Sequence, residues 1–247
     1  MHALRKLAWI EIKLFLREPA AAFFTLVFPL MMLFLFGGMY GNEPSTFFGG
    51  YGSVDVAVPS YAAMIIATSG LMGLTINMSL QREKGILRRL KVTPLRPQQI
   101  LAAQVAVTFI ATALGVLLLI VAAKIVFNLR FGGNAFSVFG AFVFSCASFF
   151  TLGFILAGLM PTARTAQAVA MVIFYPMIFL SGATIPREVL PKALQPYIDF
   201  LPLAHVVSLL RGLWMGESWG QHVSEVIILF IMLIVGVIVS AKTFRWE

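Results

Sequence analysis

The residues best suited to bind something are crowded into one stretch. Six of the chain's eighteen Lys and Arg lie in QREKGILRRLKVTPLRPQQI, from Gln81 to Ile100: Arg82, Lys84, Arg88, Arg89, Lys91 and Arg96. Such a density of cations suits contact with nucleic acid, with lipid headgroups or with another protein. Groups for acid-base or metal chemistry are sparse. The three histidines, His2, His205 and His222, are dispersed, and the two aspartates, Asp55 and Asp199, lie far apart. No pair of them has metal-ligand spacing on one helix, so an intramembrane enzyme is disfavoured and no metal is expected. Cys146 is the single cysteine, sits in an apolar run and can form no internal disulfide. The dipeptide Gly-Lys never occurs, so the phosphate-cradling G-x-x-x-x-G-K-[ST] loop is absent. The chain is not expected to be an enzyme.

The elements that carry these residues are apolar. Of 247 residues, 60% are hydrophobic and 11% are charged, against roughly 25% charged in soluble domains. The apolar residues come in runs near or above about 18, the length that spans a bilayer. The expected class is an all-α integral membrane protein. The net charge of +8 sits at the ends of apolar runs, a topology signal rather than a nucleic-acid surface. No nucleic-acid partner is expected.

Boundaries fall at charges, because Arg, Lys or Asp at the bilayer centre costs about 2.5–3.5 kcal/mol. Six spans result, near Ala20–Gly37, Val58–Leu80, Ile100–Phe127, Ala135–Leu159, Ala166–Leu180 and Val223–Ala241. Asp55 falls in the loop before the second. Residues 1–19 read as a helix lying along the membrane surface or as a plain basic flank of the first span. Between the fifth and sixth spans, residues 181–221 are moderately apolar but broken by Pro186, Pro191, Pro196 and Pro202. Proline removes a helical hydrogen bond, so short helices dipping partway into the membrane fit that segment. With the amino terminus inside, thirteen basic residues fall on inner segments and five on outer ones: Lys124, Arg130, Arg187, Lys192 and Arg211. This bias puts both termini in the cytoplasm, makes 81–97 the main inner loop, and implies a multi-pass protein of the cell inner (plasma) membrane in contact with its lipids.

Within the inner loop, Ile86, Leu87 and Leu90 have helical spacing among the charges, and Thr93-Pro94 stops the helix. A short amphipathic helix there could dock a partner or lie on headgroups; the pattern favours neither. QREKGILRRLKVTPLRP resembles the first cytoplasmic loop of type-2 ABC exporter permeases, roughly E-R-E-x-G-T-L-x-x-L-x-x-T-P-L, with Gln81 and Ile86 as departures. FLSGATIPREVLPKALQPYIDFLPLAHVVSLLRGLW resembles the same family's segment after the fifth span: Ser-Gly, Leu-Pro, Pro-Leu-x-His and Leu-Arg. The likeness covers nearly the whole chain.

The resemblance implies one permease domain over 1–247, with an elbow helix at 1–19, a coupling loop at 81–97 and an extracellular re-entrant segment at 181–221. It implies a coupling helix docked on a separate nucleotide-binding ATPase subunit through Glu83, Gly85, Leu87, Arg88 and Leu90. ATP and Mg would then bind that partner and no cofactor this chain. Two permeases, identical or paralogous, would pair, with cargo moving at their interface. Candidate lining residues are Thr68, Asn77, Gln104, Thr108, Ser145 and Ser148, beside Ser69, Thr75 and Gln167. Such residues also join helices by hydrogen bonds. In the outer segment the resemblance marks Ser181, Gly182, Pro202, His205 and Arg211. His205 reads best as a structural hydrogen-bonder; Arg211 and Glu217 read equally as a nearby pair or as solvated outer charges. Charge-free spans and a long outer segment point to a hydrophobic or amphiphilic drug or antibiotic; polysaccharide, teichoic-acid and lipid exporters share the plan. An ion-coupled secondary transporter is the competitor outside the class, but it needs a mid-membrane carboxylate or histidine, and the six spans hold none.

Overall fold

A computed structural model describes residues 23–87, 97–184, 191 and 195–243. The expected elbow helix lies outside the described residues, as do Arg88, Leu90 and the Thr93-Pro94 stop. Every regular element among the described residues is helical. A π-helical turn, Phe23–Val27, leads into α1, Phe28–Tyr40. Next come α2, Ser53–Ala67, a π-helical stretch, Thr68–Leu74, and α3, Thr75–Glu83, which together form one helix of 31 residues. The series continues with α4, Pro97–Phe127, α5, Ala135–Leu159, α6, Ala163–Leu180, α7, Pro202–Met215, and α8, Val223–Thr243. A single turn, Gln195–Ile198, precedes α7.

Among the described residues, five helical stretches are long and apolar enough to cross a membrane: Ser53–Glu83, Gln99–Phe127, Ala135–Leu159, Ala163–Leu180 and Trp219–Thr243. The first expected span, Ala20–Gly37, corresponds to the apolar but shorter Thr25–Tyr40; residues 1–22 lie outside the described ones. The spans expected at Ala135–Leu159 and Val223–Ala241 have the observed starts.

Local chemistry sets these ends. The Asn134 side-chain oxygen accepts from the amides of Phe136 and Ser137 and starts α5. Thr162 and Thr165 exchange side-chain and backbone bonds at the head of α6. Pro202 occupies the first turn of α7, where its missing N–H costs nothing. Gly85 closes the carboxyl end of α3 at φ +66, a conformation that other residues resist.

The long second helix is the centre of the bundle and touches α1, α4, α5, α6 and α7. In its apolar window 78% of residues are buried inside the protein, against 11% for α8. The second helix therefore meets protein on nearly every side, whereas α8 leaves most of its surface uncovered by the described residues. Gly70, in the π-helical stretch, crosses Gly153 of α5 with no room for a side chain. A Cβ on Gly70 would stand 2.9 Å from the Phe149 carbonyl oxygen. Thr75 bridges the same crossing by donating to the Gly153 carbonyl at 3.2 Å.

One expectation is corrected here. Asp55 is not a loop charge: the second helix starts at Ser53, and Asp55 lies in its first turn, fully buried. Its carboxylate accepts from Gly52 N at 3.0 Å, Asn42 Nδ2 at 2.9 Å and Arg130 N at 2.8 Å. A carboxylate at a helix amino end is favoured by the free N–H groups and the helix dipole. Three donors from three segments make burial tolerable.

Candidate functional site

Three polar groupings interrupt the apolar bundle. The first lies at the carboxyl end of α3. The Arg82 guanidinium donates to the carbonyls of Ala157, at 2.8 Å, and Met160, the last acceptors of α5. Glu83 accepts from the amide of Ala163, the first residue of α6, at 3.0 Å. A cation meets a helix carboxyl end and an anion meets a helix amino end, each matched to the local dipole. The turn between α5 and α6 is thus clipped to the residue pair that opens the loop 81–97. Gly85 then turns the chain, its N–H donating to the Arg82 carbonyl at 2.9 Å. Leu87 is 1% exposed. Its side chain is turned inward. Glu83 and Lys84 are exposed.

The second grouping joins α3 and α4. Gln81 Nε2 donates to Asn77 Oδ1 at 2.8 Å and to Gln104 Oε1 at 3.2 Å. Asn77 and Gln104 are therefore brought together, with Gln81 between them. Elsewhere the candidate lining residues separate by burial. Thr68 is buried and bonds the Met64 carbonyl of its own helix. Ser148 is buried and donates to the Leu229 carbonyl of α8 at 3.1 Å, a helix joint. Ser145 is fully buried in α5 and has no hydrogen-bond partner among the described residues. Gln104 is buried, whereas Asn77 and Thr108 are half-buried. Of the candidates, Asn77, Thr108 and Gln167 keep surface.

The third grouping lies at the opposite end, around α7. Ser181, Gly182 and Arg211 line one cavity of about 280 Å³ with Ser208, Glu217 and His222. Pro202 and His205 stand apart from it at the start of α7. His205 Nε2 donates to the Asp199 carbonyl at 2.9 Å, the structural role expected of it. Glu217 bonds His222, at 2.8 Å, as well as facing the cavity that Arg211 lines. His222 is buried, with Glu225 Oε1 3.9 Å from its other ring nitrogen. Glu225 in turn accepts from Ser208 at 3.0 Å, tying α8 to α7. Sequence reasoning left His222 among dispersed histidines. The signal was local: a glutamate five residues before and another three residues after. Among the described residues, no group of three or more His, Cys, Asp or Glu could hold a metal ion.

This all-helical, membrane-crossing chain matches the ABC-2 type transporter family over residues 2–215. It belongs to that family. It is 26% identical over 206 residues to "Putative transport permease ycf38" of Pyropia yezoensis, covering 82% of this chain and 70% of that protein. It is 26% identical over 204 residues to the "Daunorubicin resistance ABC transporter permease protein DrrB1" of Streptomyces coeruleorubidus, 78% of this chain and 66% of that one. It is 24% identical over 161 residues to the "Probable multidrug ABC transporter permease YbhR" of Escherichia coli (strain K12), 65% of this chain and 44% of that one. The chain is a multi-pass membrane protein and the transmembrane subunit of an ABC transporter; ATP hydrolysis takes place on a partner ATPase subunit.

Proposed function

We propose that the chain is the permease of an exporter whose inner loop, 81–97, is pushed by the ATPase subunit and passes that motion to α5 and α6. The observation that carries this reading is the clip formed by Arg82 and Glu83. A loop that merely lay on headgroups would need no rigid attachment to two helix ends. Here any displacement of the loop pulls on the α5–α6 turn through charge-assisted bonds, which are about twice as strong as neutral ones. Gly85, with Arg88 and Leu90, supplies the contact to the partner, Glu83 ties the loop to α6, and Leu87 anchors it from within. ATP and Mg bind the partner subunit.

In this reading the six helices span with both termini in the cytoplasm of the cell inner membrane. Residues 1–19 form the elbow and 181–221 dip into the outer leaflet, all within a single permease domain. Two copies, or one copy and a paralogue, enclose the path, with Asn77 and Thr108 on its wall. The cargo is a hydrophobic or amphiphilic drug, in keeping with the names of DrrB1 and YbhR and with spans that carry no mid-membrane charge. A polysaccharide, teichoic-acid or lipid cargo is the other outcome of the same assay. Membrane vesicles holding the permease with and without its co-purified ATPase test the reading. Vanadate-sensitive uptake of a lipophilic drug, absent without the ATPase, is the expected result. Uptake by the permease alone would indicate ion-coupled transport instead.

A further inference from the structure

The bundle carries a second recognisable cavity, remote from the clip and separate from the α7 cavity. It is an apolar groove of about 700 Å³ between α2, α4 and α5, floored by Leu210 and Trp214 of α7. That volume falls in the range of roughly 300–1,000 Å³ typical of ligand sites. Its walls are apolar side chains such as Val116, Ile120, Val138 and Phe142, with a single charged residue, Lys124. Along α4 the lining runs from Ala113 to Lys124, about 16 Å at the helical rise. That is roughly half of the ~30 Å hydrocarbon core, the depth of one leaflet. Leu117 and Phe139 line the groove and are 55% and 58% exposed, so it opens sideways, toward where acyl chains lie, rather than into the bundle.

The cation is at one end only. Lys124 belongs to the last turn of α4 and donates to the Leu129 carbonyl at 3.1 Å. An ammonium has three donors, so two are left for another acceptor. Among the described residues no carboxylate pairs with it, and the exposed Arg130 adds a second positive charge to the same loop. We propose that this groove holds one acyl chain of an anionic phospholipid, from the leaflet on the side of α7, with the headgroup phosphate on Lys124. Leaflet depth, sideways opening and a terminal cation are together what a lipid needs. The site does not depend on transport, so its test needs no ATPase.

The experiment is native mass spectrometry of the purified full-length chain, titrated with phosphatidylglycerol or phosphatidylcholine of identical acyl chains. One phosphatidylglycerol should be retained about fivefold better than phosphatidylcholine, the preference one near-surface lysine supports. Lys124→Gln should remove that preference and Lys124→Arg should keep it. Val138→Trp, which fills the groove, should lower retention of both lipids. A phosphatidylglycerol with a photoreactive acyl chain should crosslink to residues 113–124 and 135–142. Equal retention of the two lipids, an unchanged preference in Lys124→Gln, crosslinks elsewhere, or displacement by inorganic phosphate alone would each overturn the proposal. Lys124 is exposed, so its variants read the site even where the tryptophan variant fails to fold.

Discussion

Glu83 and Ala163 are 80 residues apart in sequence, and the carboxylate of one accepts the amide hydrogen of the other at 3.0 Å. The neighbour of Glu83, Arg82, holds the carbonyls just across the same turn. The end of one span thereby fixes both ends of a helix–helix junction.

Removing that hold has a graded cost. Glu83→Ala takes away the acceptor at the α6 amino end and should destabilise the protein by ~0.5–2 kcal/mol, the usual worth of such a cap. Glu83→Gln keeps an acceptor and should lose less. Thermal unfolding of the purified permease, followed by fluorescence, gives the order wild type, Gln, Ala. Equal midpoints for all three would mean the bond contributes nothing.

At the opposite end of the bundle, Asp55→Ala should be worse. Three donors, the buried amide of Gly52 and the part-buried groups of Asn42 and Arg130, would lose their acceptor, and a buried unsatisfied group costs about 1–3 kcal/mol. Asp55→Asn places an amide against the amide of Asn42 and should fall between. The readout is the yield of monodisperse protein in size-exclusion chromatography. An Asp55→Ala variant that expresses like wild type would contradict the clamp.

Much of the fold was legible because charge and length govern helices in lipid. The ends of α5 at Ala135 and Leu159 follow from Asn134 before and Pro161 after. Asp55 was misread for a physical reason: a lone aspartate near a span resembles a loop charge until its three donors, spread from Asn42 to Arg130, come together. The clip was half visible. The sequence marked Glu83 and Gly85, but nothing in the order of residues joins Glu83 to Ala163. Ser148 illustrates the limit for the path: a serine that bonds a neighbouring helix and one that lines a channel look alike until burial separates them.

The Gly70–Gly153 crossing yields a steric prediction. Gly153→Ala would drive a methyl group into the backbone of Gly70, and Gly70→Ala would press on Phe149. Overpacking of this kind costs typically 1–3 kcal/mol. Gly38→Ala, with open space around it, serves as the control and should be neutral. Melting temperatures of the three variants decide the point; a Gly153→Ala variant as stable as Gly38→Ala would show that the helices can part without loss.

Joints and lining residues should also behave differently under substitution. Ser148→Ala removes one interhelical bond to Leu229 and should cost about 0.6 kcal/mol, the average for such bonds in membranes, with unchanged cargo preference. Asn77→Leu should shift the relative uptake of cargoes of different polarity. Competition uptake in vesicles separates the two. Altered preference in Ser148→Ala with none in Asn77→Leu would reverse the assignment.

The central claim is that the ATPase drives the spans through the Arg82–Glu83 attachment. The direct measurement is vanadate-sensitive drug uptake into vesicles carrying the ATPase with either wild-type permease or Glu83→Ala, with ATP hydrolysis recorded in parallel. The account predicts that the variant still co-purifies with the ATPase and still hydrolyses ATP, while uptake falls about tenfold, the factor that 1.4 kcal/mol of lost coupling represents. Uptake equal to wild type in Glu83→Ala, or uptake by the permease with no ATPase present, would contradict it.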